Sequence, residues 1–193
     1  MRITGGKARG IQLSAPKGRA TRPATDQMRE SVFSYLGAGL KGARVADCFA
    51  GTGAYGLEAL SRGARGGLFV ENSPEVVSCL QANLAAVAKS CELKTIEAWQ
   101  ILPQKVYALN HRHGPFDLIF LDPPYAMIES KIVAIFSENI TPIAAPNARI
   151  CLELPGDLVL TFPDWECLRR LGKSGKDRPS VAVYQRKKTT AQS

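Results

Sequence analysis

Short apolar runs alternate with longer amphipathic stretches along this chain from Arg44 onward. Runs of strand length separated by helical periodicity are typical of a parallel sheet that is covered by helices on both faces. Strands are predicted at Val45–Phe49, Leu68–Glu71, Lys94–Glu97, Asp117–Leu121, Ala148–Leu154, Glu166–Leu171 and Val181–Gln185. Helices are predicted at Gly53–Ser61, Pro74–Lys89 and Trp99–Asn110. The pattern therefore indicates an α/β fold with a mostly parallel sheet of seven strands.

The first forty residues follow a different pattern. Glycines interrupt the apolar positions of the segment Ile3–Leu13, and such glycines permit the tight turns of a small hairpin. Asp26 is a good helix cap and begins a stretch of helical periodicity. The apolar face of this helix is predicted to consist of Met28, Val32, Tyr35 and Leu36. We therefore expect a hairpin-and-helix extension over residues 1–40, a main domain over residues 41–187 and a frayed tail over residues 188–193.

The net charge of +8 is concentrated at the two ends of the chain. Residues 1–30 carry +5 and residues 165–193 carry +6, whereas the middle of the chain carries −3. Basic ends on a nearly neutral body favour a polyanionic partner such as RNA, because contacts to phosphates supply affinity that does not depend on sequence. Charge that only keeps the protein in solution explains the same distribution equally well, so charge alone does not decide the partner.

Cysteines, histidines and hydropathy exclude several classes of protein. The five cysteines are an odd number without a CxxC pair, which argues against a disulfide framework and a structural zinc site. His111 and His113 lack further ligands at metal spacing, so they are interpreted as part of a polar loop and no metal is expected. The chain has neither an apolar run of about 18 residues nor an apolar signal segment at its N-terminus. We therefore predict a cytoplasmic protein that does not bind membranes.

A glycine-rich segment follows the first predicted strand, where the chain would turn into a helix. Its sequence is Asp47-Cys48-Phe49-Ala50-Gly51-Thr52-Gly53-Ala54-Tyr55-Gly56. Glycines at such a turn let the backbone approach a bound nucleoside, and the N–H groups at the start of the helix can hold polar ligand atoms. Glu71 ends the next predicted strand, and its carboxylate can accept hydrogen bonds from both hydroxyls of a ribose. These features predict a nucleoside site, which a dinucleotide or S-adenosylmethionine would satisfy equally.

A second motif distinguishes between these two cofactors. Asp122-Pro123-Pro124-Tyr125 directly follows the apolar run Leu118-Ile119-Phe120-Leu121. The motif is therefore expected at the carboxyl end of a strand, beside the crevice where open α/β sheets bind ligands. Two consecutive prolines exclude a helix and remove two N–H donors, so the turn is rigid and its carbonyls remain available as acceptors.

This rigid acceptor turn suits methyl transfer to an amine of a nucleobase. The lone pair of such an amine is delocalised into the ring, so the amine has to be oriented before it reacts. The carboxylate of Asp122 and the carbonyl of Pro123 can accept its two N–H bonds while Tyr125 stacks on the base. The sulfonium of S-adenosylmethionine supplies the electrophile, and the chemistry requires neither a metal nor a covalent nucleophile.

The motifs resemble those of the Rossmann-like class I methyltransferases, and more closely those of the small-subunit ribosomal RNA guanine-N2 methyltransferases of the RsmD type. The matching stretches are RITGGKARGIQL from Arg2, RPATDQMRESVF from Arg22, DCFAGTGAYGLEALSRGA from Asp47, Glu71 itself and DLIFLDPPY from Asp117. The glycine and DPPY motifs are shared with many amino methyltransferases. The two N-terminal stretches carry the narrower resemblance.

The resemblance implies positions for the cofactor, the target base and the RNA. The S-adenosylmethionine site would consist of Asp47, Phe49, Gly51, Thr52, Gly53, Glu71 and Asn72, with Glu97 and Ala98 near the adenine. The catalytic residues at the target base would be Asp122, Pro123, Pro124 and Tyr125. The residues that meet RNA near the mouth of the active site would be Arg22, Thr25, Asp26 and Arg29. The implied partner is 16S rRNA, free or within an assembling small ribosomal subunit, and the protein is expected to be a monomer.

Other functions stay open at this point. A DNA or RNA adenine-N6 methyltransferase would use the same DPPY chemistry, although sequence-specific DNA enzymes usually carry a recognition region for which this chain has no room. Protein glutamine methyltransferases favour Asn where this chain has Asp122. A nicotinamide-dependent dehydrogenase would use the glycine loop but would leave the DPPY motif unexplained. A noncatalytic RNA-binding protein would use the basic ends but not the cofactor loop.

Overall fold

The computed structural model describes residues 1–16, 26–175 and 178–187. Its strands are β1 (Arg44–Cys48), β2 (Gly66–Val70), β3 (Trp99–Leu102), β4 (Phe116–Leu121), β5 (Ala144–Pro155), β6 (Trp165–Gly172) and β7 (Pro179–Arg186). Its α-helices are α1 (Asp26–Leu36), α2 (Ala54–Ser61), α3 (Pro74–Ser90), α4 (Tyr125–Ser130) and α5 (Ile132–Ile135). A π-helical turn at Phe136–Ile140 follows α5, and short 3-10 turns lie at Gly37–Leu40, Val106–Ala108, His111–His113 and Thr141–Ile143.

The strands form one sheet in the order β3-β2-β1-β4-β5-β7-β6. Strands β1 to β5 pair in parallel, and β7 lies antiparallel between β5 and β6. The predicted α/β class with a mostly parallel, seven-stranded sheet is confirmed. The strand order reverses between β1 and β4, and such sheets bind ligands in the crevice at this reversal, beyond the carboxyl ends of the strands.

Both faces of the sheet are covered, since successive residues of a strand point to opposite sides. In β4, Phe120 belongs to a hydrophobic cluster with residues of α1, α2 and α3. Its neighbour Ile119 belongs to a second cluster with residues of α4 and α5. The second cluster also holds Phe136 stacked on Phe162, with ring centroids 3.6 Å apart. These two clusters hold the carboxyl ends of the parallel strands in place.

The N-terminal segment folds back on itself and packs against α2. One antiparallel bridge joins Arg2 to Gln12, so the predicted hairpin is reduced to a single bridge. Ile3 is fully buried in the cluster formed with α1, α2 and α3. Gly6 has a φ of 76°, and a Cβ atom there would stand 2.0 Å from the carbonyl oxygen of Ser61 in α2. Only glycine therefore lets the segment approach the helix this closely.

The third strand lies later in the chain than predicted. The strand expected at Lys94–Glu97 is found at Trp99–Leu102, where the start of a helix over Trp99–Asn110 was expected. Packing across the sheet explains the difference. Gly67 of β2 pairs with Trp99, and a Cβ atom at position 67 would come within 2.6 Å of the indole ring. The ring thus requires a glycine on the neighbouring strand, a relationship that helical periodicity cannot reveal.

The helices differ from the predictions in two further respects. In α1, the predicted apolar residue Tyr35 is 36% exposed, whereas Phe33 is buried with its ring centroid 5.4 Å from that of Phe120. Helices α4 and α5 were not predicted, because both are short and α4 directly follows two prolines. Among the described residues, no helix is both long enough and apolar enough to cross a membrane. The predicted tail over residues 188–193 lies outside the described residues.

Candidate functional site

Four neighbouring strands end at the same edge of the sheet, and each is followed by a polar or glycine-rich segment. The glycine loop at residues 49–53 follows β1, and Glu71 follows β2. Gln104 comes shortly after β3, and Asp122 follows β4. Since these strands are parallel and adjacent, their carboxyl ends bring the four segments together.

The loop after β1 has the backbone of a tight strand-to-helix turn. Phe49, Gly51 and Gly53 have φ angles of 64°, 54° and 86°, all in the left-handed region. Gly53 immediately precedes α2, and a Cβ atom there would stand 2.4 Å from Cδ1 of Leu80 in α3. The glycine at position 53 therefore permits both the turn and the close approach to α3.

Two buried polar side chains hold this loop in place. Oδ2 of Asp47 accepts a 2.8 Å hydrogen bond from the backbone N–H of Gly56, and burial raises the pKa of this carboxyl to about 7. Nδ2 of Asn83 donates to the carbonyl oxygens of Thr52 and Ser14, at 3.0 Å each. Asp47 and Thr52 are themselves buried. Asp47 and Thr52, which were predicted to line the cofactor site, therefore lie inside the turn and are not part of its exposed surface.

Glu71 lies at the end of β2 and faces the loop. Its Oε2 accepts a 3.1 Å hydrogen bond from the backbone N–H of Gly51. Its Oε1 accepts from the N–H groups of Asn72 and Ser73, at 2.8 Å each. Three backbone donors fix the orientation of this carboxylate, and the residue stays partly exposed to the cleft described next.

A cleft of about 160 Å³ opens between the glycine loop, Glu71 and the start of α4. Its lining residues are Phe49, Val70, Glu71, Asn72, Gln104, Lys105, Val106, Tyr107, Pro124 and Met127. Predicted residues from three segments, Phe49, Glu71, Asn72 and Pro124, therefore meet around one cleft. Sequence reasoning missed Gln104, Lys105 and Tyr107, because they follow β3 and that strand was predicted too early.

Glu97 and Ala98 lie at the opposite edge of the sheet, which corrects the prediction that they contact the adenine. They precede β3, and the carbonyl of Ala98 accepts a 2.8 Å hydrogen bond from the N–H of Gly67 near the start of β2. There they line a separate cavity of about 510 Å³ together with the first residues of β1 and β4. The place next to the cleft that was predicted for them belongs to Gln104.

Gln104 carries a buried donor that no described residue satisfies. Its Nε2 has no hydrogen-bond partner among the described residues. A buried donor without a partner is costly, and an acceptor atom of a ligand would satisfy it. The cleft thus offers Glu71 as an acceptor for hydroxyl groups and Gln104 as a donor for a ring nitrogen. A nucleoside is the ligand chemistry that fits both groups.

The turn from Asp122 to Tyr125 borders this cleft through Pro124. Asp122 is partly exposed, Pro123 is buried and Tyr125 is 43% exposed. The carbonyl of Pro124 accepts a 2.8 Å hydrogen bond from the N–H of Met127 in α4. The carbonyl of Pro123 has no partner within the described part of the chain. Within four residues, the turn therefore presents the carboxyl group of Asp122, the available carbonyl of Pro123 and the exposed aromatic ring of Tyr125.

Comparison with known proteins identifies the family. The family model described as Conserved hypothetical protein 95 matches residues 1–181. Ribosomal RNA small subunit methyltransferase D of Haemophilus influenzae is 32% identical over 171 residues, which are 88% of this chain and 86% of that protein. This chain belongs to the RsmD-type family of S-adenosylmethionine-dependent methyltransferases.

Two further proteins resemble this RsmD-type chain over most of its length. YlbH of Bacillus subtilis is 36% identical over 174 residues, which are 83% of this chain and 91% of that protein. The solved structure of yhhF from Escherichia coli superimposes with a TM-score of 0.77 at 29% identity, and the match covers 98% of this chain and 99% of that one. The class I methyltransferase fold expected from the motifs is confirmed.

The structure describes two of the four residues that were predicted to bind RNA in this RsmD-type protein, Asp26 and Arg29. Arg22 and Thr25 lie outside the described residues. Arg29 is fully buried, its Nη2 donates to Oδ1 of Asp26 at 2.9 Å, and its Nε lies 3.5 Å from Oε2 of Glu58. Burial would raise the pKa of Asp26, but the hydrogen bond and charge of Arg29 outweigh it and hold that pKa below its usual value. The predicted RNA contact of Arg29 is therefore corrected: its guanidinium ties α1 to α2.

An acid that the sequence analysis did not select lies next to the DPPY turn. Glu153 is buried in β5, and its Oε2 accepts a 3.2 Å hydrogen bond from the hydroxyl of Tyr55. Burial raises the pKa of Glu153 to about 7. Burial, followed by the charges of Glu153 and Asp47, raises the pKa of Asp122 well above its usual range. An acid inside the apolar run of β5 was the signal in the sequence that could have identified Glu153.

Proposed function

We propose that this protein transfers the methyl group of S-adenosylmethionine to the exocyclic N2 amine of a guanine in 16S ribosomal RNA. The relative named ribosomal RNA small subunit methyltransferase D supports the substrate class. The observation that carries the proposal is the position of Asp122 and the Pro123 carbonyl, at the end of β4 beside a cleft that fits a nucleoside. Two acceptors from adjacent residues match the two N–H bonds of a primary amine.

The residues around the cleft fit S-adenosylmethionine. The carboxylate of Glu71 would accept hydrogen bonds from the ribose hydroxyls. The unpaired Nε2 of Gln104 would donate to a ring nitrogen of the adenine. The left-handed loop at residues 49–53 would let the backbone pass close to the cofactor. When bound there, the cofactor supplies an electrophilic methyl group on its sulfonium.

The residues of the DPPY turn would orient the target amine. Asp122 and the carbonyl of Pro123 would each accept one N–H, which directs the nitrogen lone pair out of the plane of the base. Tyr125 is 43% exposed and is therefore available to stack on that base. Because the two prolines restrict the backbone, the acceptors are already in position before RNA binds.

Methyl transfer to ribosomal RNA tests the proposal. The protein is incubated with isotope-labelled S-adenosylmethionine and with 16S rRNA or small ribosomal subunits from cells that lack the gene, and 23S rRNA serves as the control substrate. Label in N2-methylguanosine of 16S rRNA supports the proposal. Label in N6-methyladenosine would instead assign the adenine alternative. Binding of NAD in place of S-adenosylmethionine would support the dehydrogenase, and an absence of labelled nucleosides would overturn methylation of RNA.

A further inference from the structure

Asp122 and Glu153 occupy equivalent places on neighbouring strands. Leu121, the last residue of β4, pairs with Leu152 of β5 in parallel register, so Asp122 and Glu153 directly follow paired residues. Neighbouring strands lie about 4.8 Å apart, and residues in register point to the same side of the sheet. Both acids continue the face on which Phe120 packs against α2. The backbone thus places the two carboxyl groups side by side.

Tyr55 of α2 covers this pair from the helix side. Its hydroxyl donates a 3.2 Å hydrogen bond to Oε2 of Glu153, and its ring stacks on Phe120 with centroids 4.8 Å apart. Tyr55 is 5% exposed and Glu153 is 7% exposed. Water is therefore excluded from Glu153, whereas Asp122 remains partly exposed.

The described residues provide no positive charge that would balance two carboxylates. The remaining ionisable groups that act on the pair are Asp47 of β1 and Tyr55, and the residue opposite Glu153 on β7 is Val181. Within the described part of the chain, no lysine or arginine forms an ion pair with Asp122 or Glu153. Two adjacent carboxyl groups without a cation, one shielded from water and the other only partly exposed, do not both ionise readily, so they titrate as one coupled pair.

We propose that Glu153 is a positioning residue for methyl transfer, and that it holds a shared proton with Asp122 so that the pair can accept the proton that the amine loses. This inference rests on the proposed function. Before the reaction the pair carries one proton and one negative charge. When the target amine donates a hydrogen bond to Asp122, the shared proton resides on Glu153. The hydrogen bond from the Tyr55 hydroxyl holds the Glu153 side chain in place.

The proposed step conserves protons and charge. The N–C bond forms as the S–C bond breaks, and the electron pair of the S–C bond stays on sulfur. The N–H bond of the methylated amine then breaks, and its proton passes to the carboxylate of Asp122. The positive charge of the sulfonium and the negative charge of the pair disappear together. The site ends with two neutral carboxyl groups, the state that burial favours.

The pH dependence of single-turnover methyl transfer at saturating cofactor tests the inference. The wild-type rate should rise as the pH increases through about 7, where the pair loses its first proton and becomes an acceptor. Glu153→Gln leaves Asp122 as the only acid of the pair that can lose this proton and removes the partner that shares the remaining one, so the acid limb should move to higher pH. Tyr55→Phe removes the hydrogen bond that favours ionised Glu153, so the limb should move to higher pH.

Matched controls separate this role from a merely structural one. Glutamine at position 153 keeps an acceptor for the Tyr55 hydroxyl, so thermal unfolding and S-adenosylmethionine affinity of the Gln variant should match the wild type. Glu138→Gln changes an exposed acid and should leave the pH profile unchanged. Infrared titration of the protonated carboxyl band should show a group titrating near pH 7 in the wild type and not in Glu153→Gln.

The outcomes distinguish this inference from the proposed function. A Glu153→Gln profile that coincides with the wild-type profile would overturn the inference alone, since the wild type would still label guanine. A shift of the Glu153→Gln limb to lower pH would also overturn it, because Glu153 would then oppose the ionisation of Asp122 and would not share a proton with it. A wild-type protein that labels no RNA at any pH would overturn the proposed function and the inference with it.

Discussion

The backbone N–H of Gly51 donates a hydrogen bond of 3.1 Å to Oε2 of Glu71. This bond joins the loop after β1 to the end of β2, and two further backbone N–H groups hold the other carboxylate oxygen. The group that is proposed to bind the ribose is therefore already oriented by the loop that would enclose the cofactor. Such preorganisation lowers the entropic cost of binding.

Glu71→Ala should weaken S-adenosylmethionine binding by about 1.5–3 kcal/mol, the range for hydrogen bonds to a charged group. The loss has two sources, since both the ribose contact and the orientation of the loop disappear. Calorimetric titration measures it. Glu75→Ala, which changes an exposed acid in the first turn of α3, is the matched control and should bind normally. Unchanged affinity in a folded Glu71→Ala protein would remove Glu71 from the cofactor site.

Gln104→Ala should weaken S-adenosylmethionine binding by about 0.5–1.5 kcal/mol, because one hydrogen bond to the adenine is lost. The free protein should not lose stability, since the Nε2 atom that is removed has no partner among the described residues. Glu97→Ala is the informative control, because Glu97 lies at the opposite edge of the sheet. Affinity that depends on Glu97 and not on Gln104 would contradict the assignment of the adenine position.

Asp122→Asn should lower the single-turnover rate about 10²–10³-fold, comparable to the loss of one preorganised electrostatic contact. The substitution keeps the shape of the turn but removes the charge and presents a donor to the N–H of the base. Cofactor affinity should change little, because Asp122 is not expected to contact S-adenosylmethionine. Calorimetry on the same samples separates the two effects, and Asp157→Asn at an exposed position is the control. A loss traced wholly to cofactor binding would give Asp122 another role.

Arg29→Met should destabilise the fold by about 3–5 kcal/mol, because it leaves the buried carboxylate of Glu58 without one of its partners. Denaturant unfolding measures this loss, and Arg9→Met at an exposed position should have little effect.

Arg22→Glu should lower RNA affinity and make its salt dependence shallower, while the stability of the fold stays normal. RNA binding that keeps its full salt slope in Arg22→Glu would show that Arg22 does not contact phosphates.

The sequence by itself determined the fold class and the chemistry of the two motifs. Runs of apolar residues locate β1, β2, β4 and β5, and their burial on both faces leaves little ambiguity. The glycines at positions 51 and 53 and the prolines at positions 123 and 124 act through local backbone restrictions, which a linear pattern records. Glu71 was found for the same reason, since it is the last residue of a predicted strand.

Only the tertiary structure decided the features that depend on neighbours distant in the chain. The position of β3 depends on Gly67, which leaves room for the ring of Trp99. Because β3 lies later in the chain than predicted, Gln104 and not Glu97 lies beside the cleft. The burial of Arg29 depends on Glu58, which lies on another helix and binds the opposite charge. The coupling of Asp122 to Glu153 arises because parallel pairing of β4 with β5 brings two carboxyl groups together, where burial, followed by the charge of Glu153, raises the pKa of Asp122.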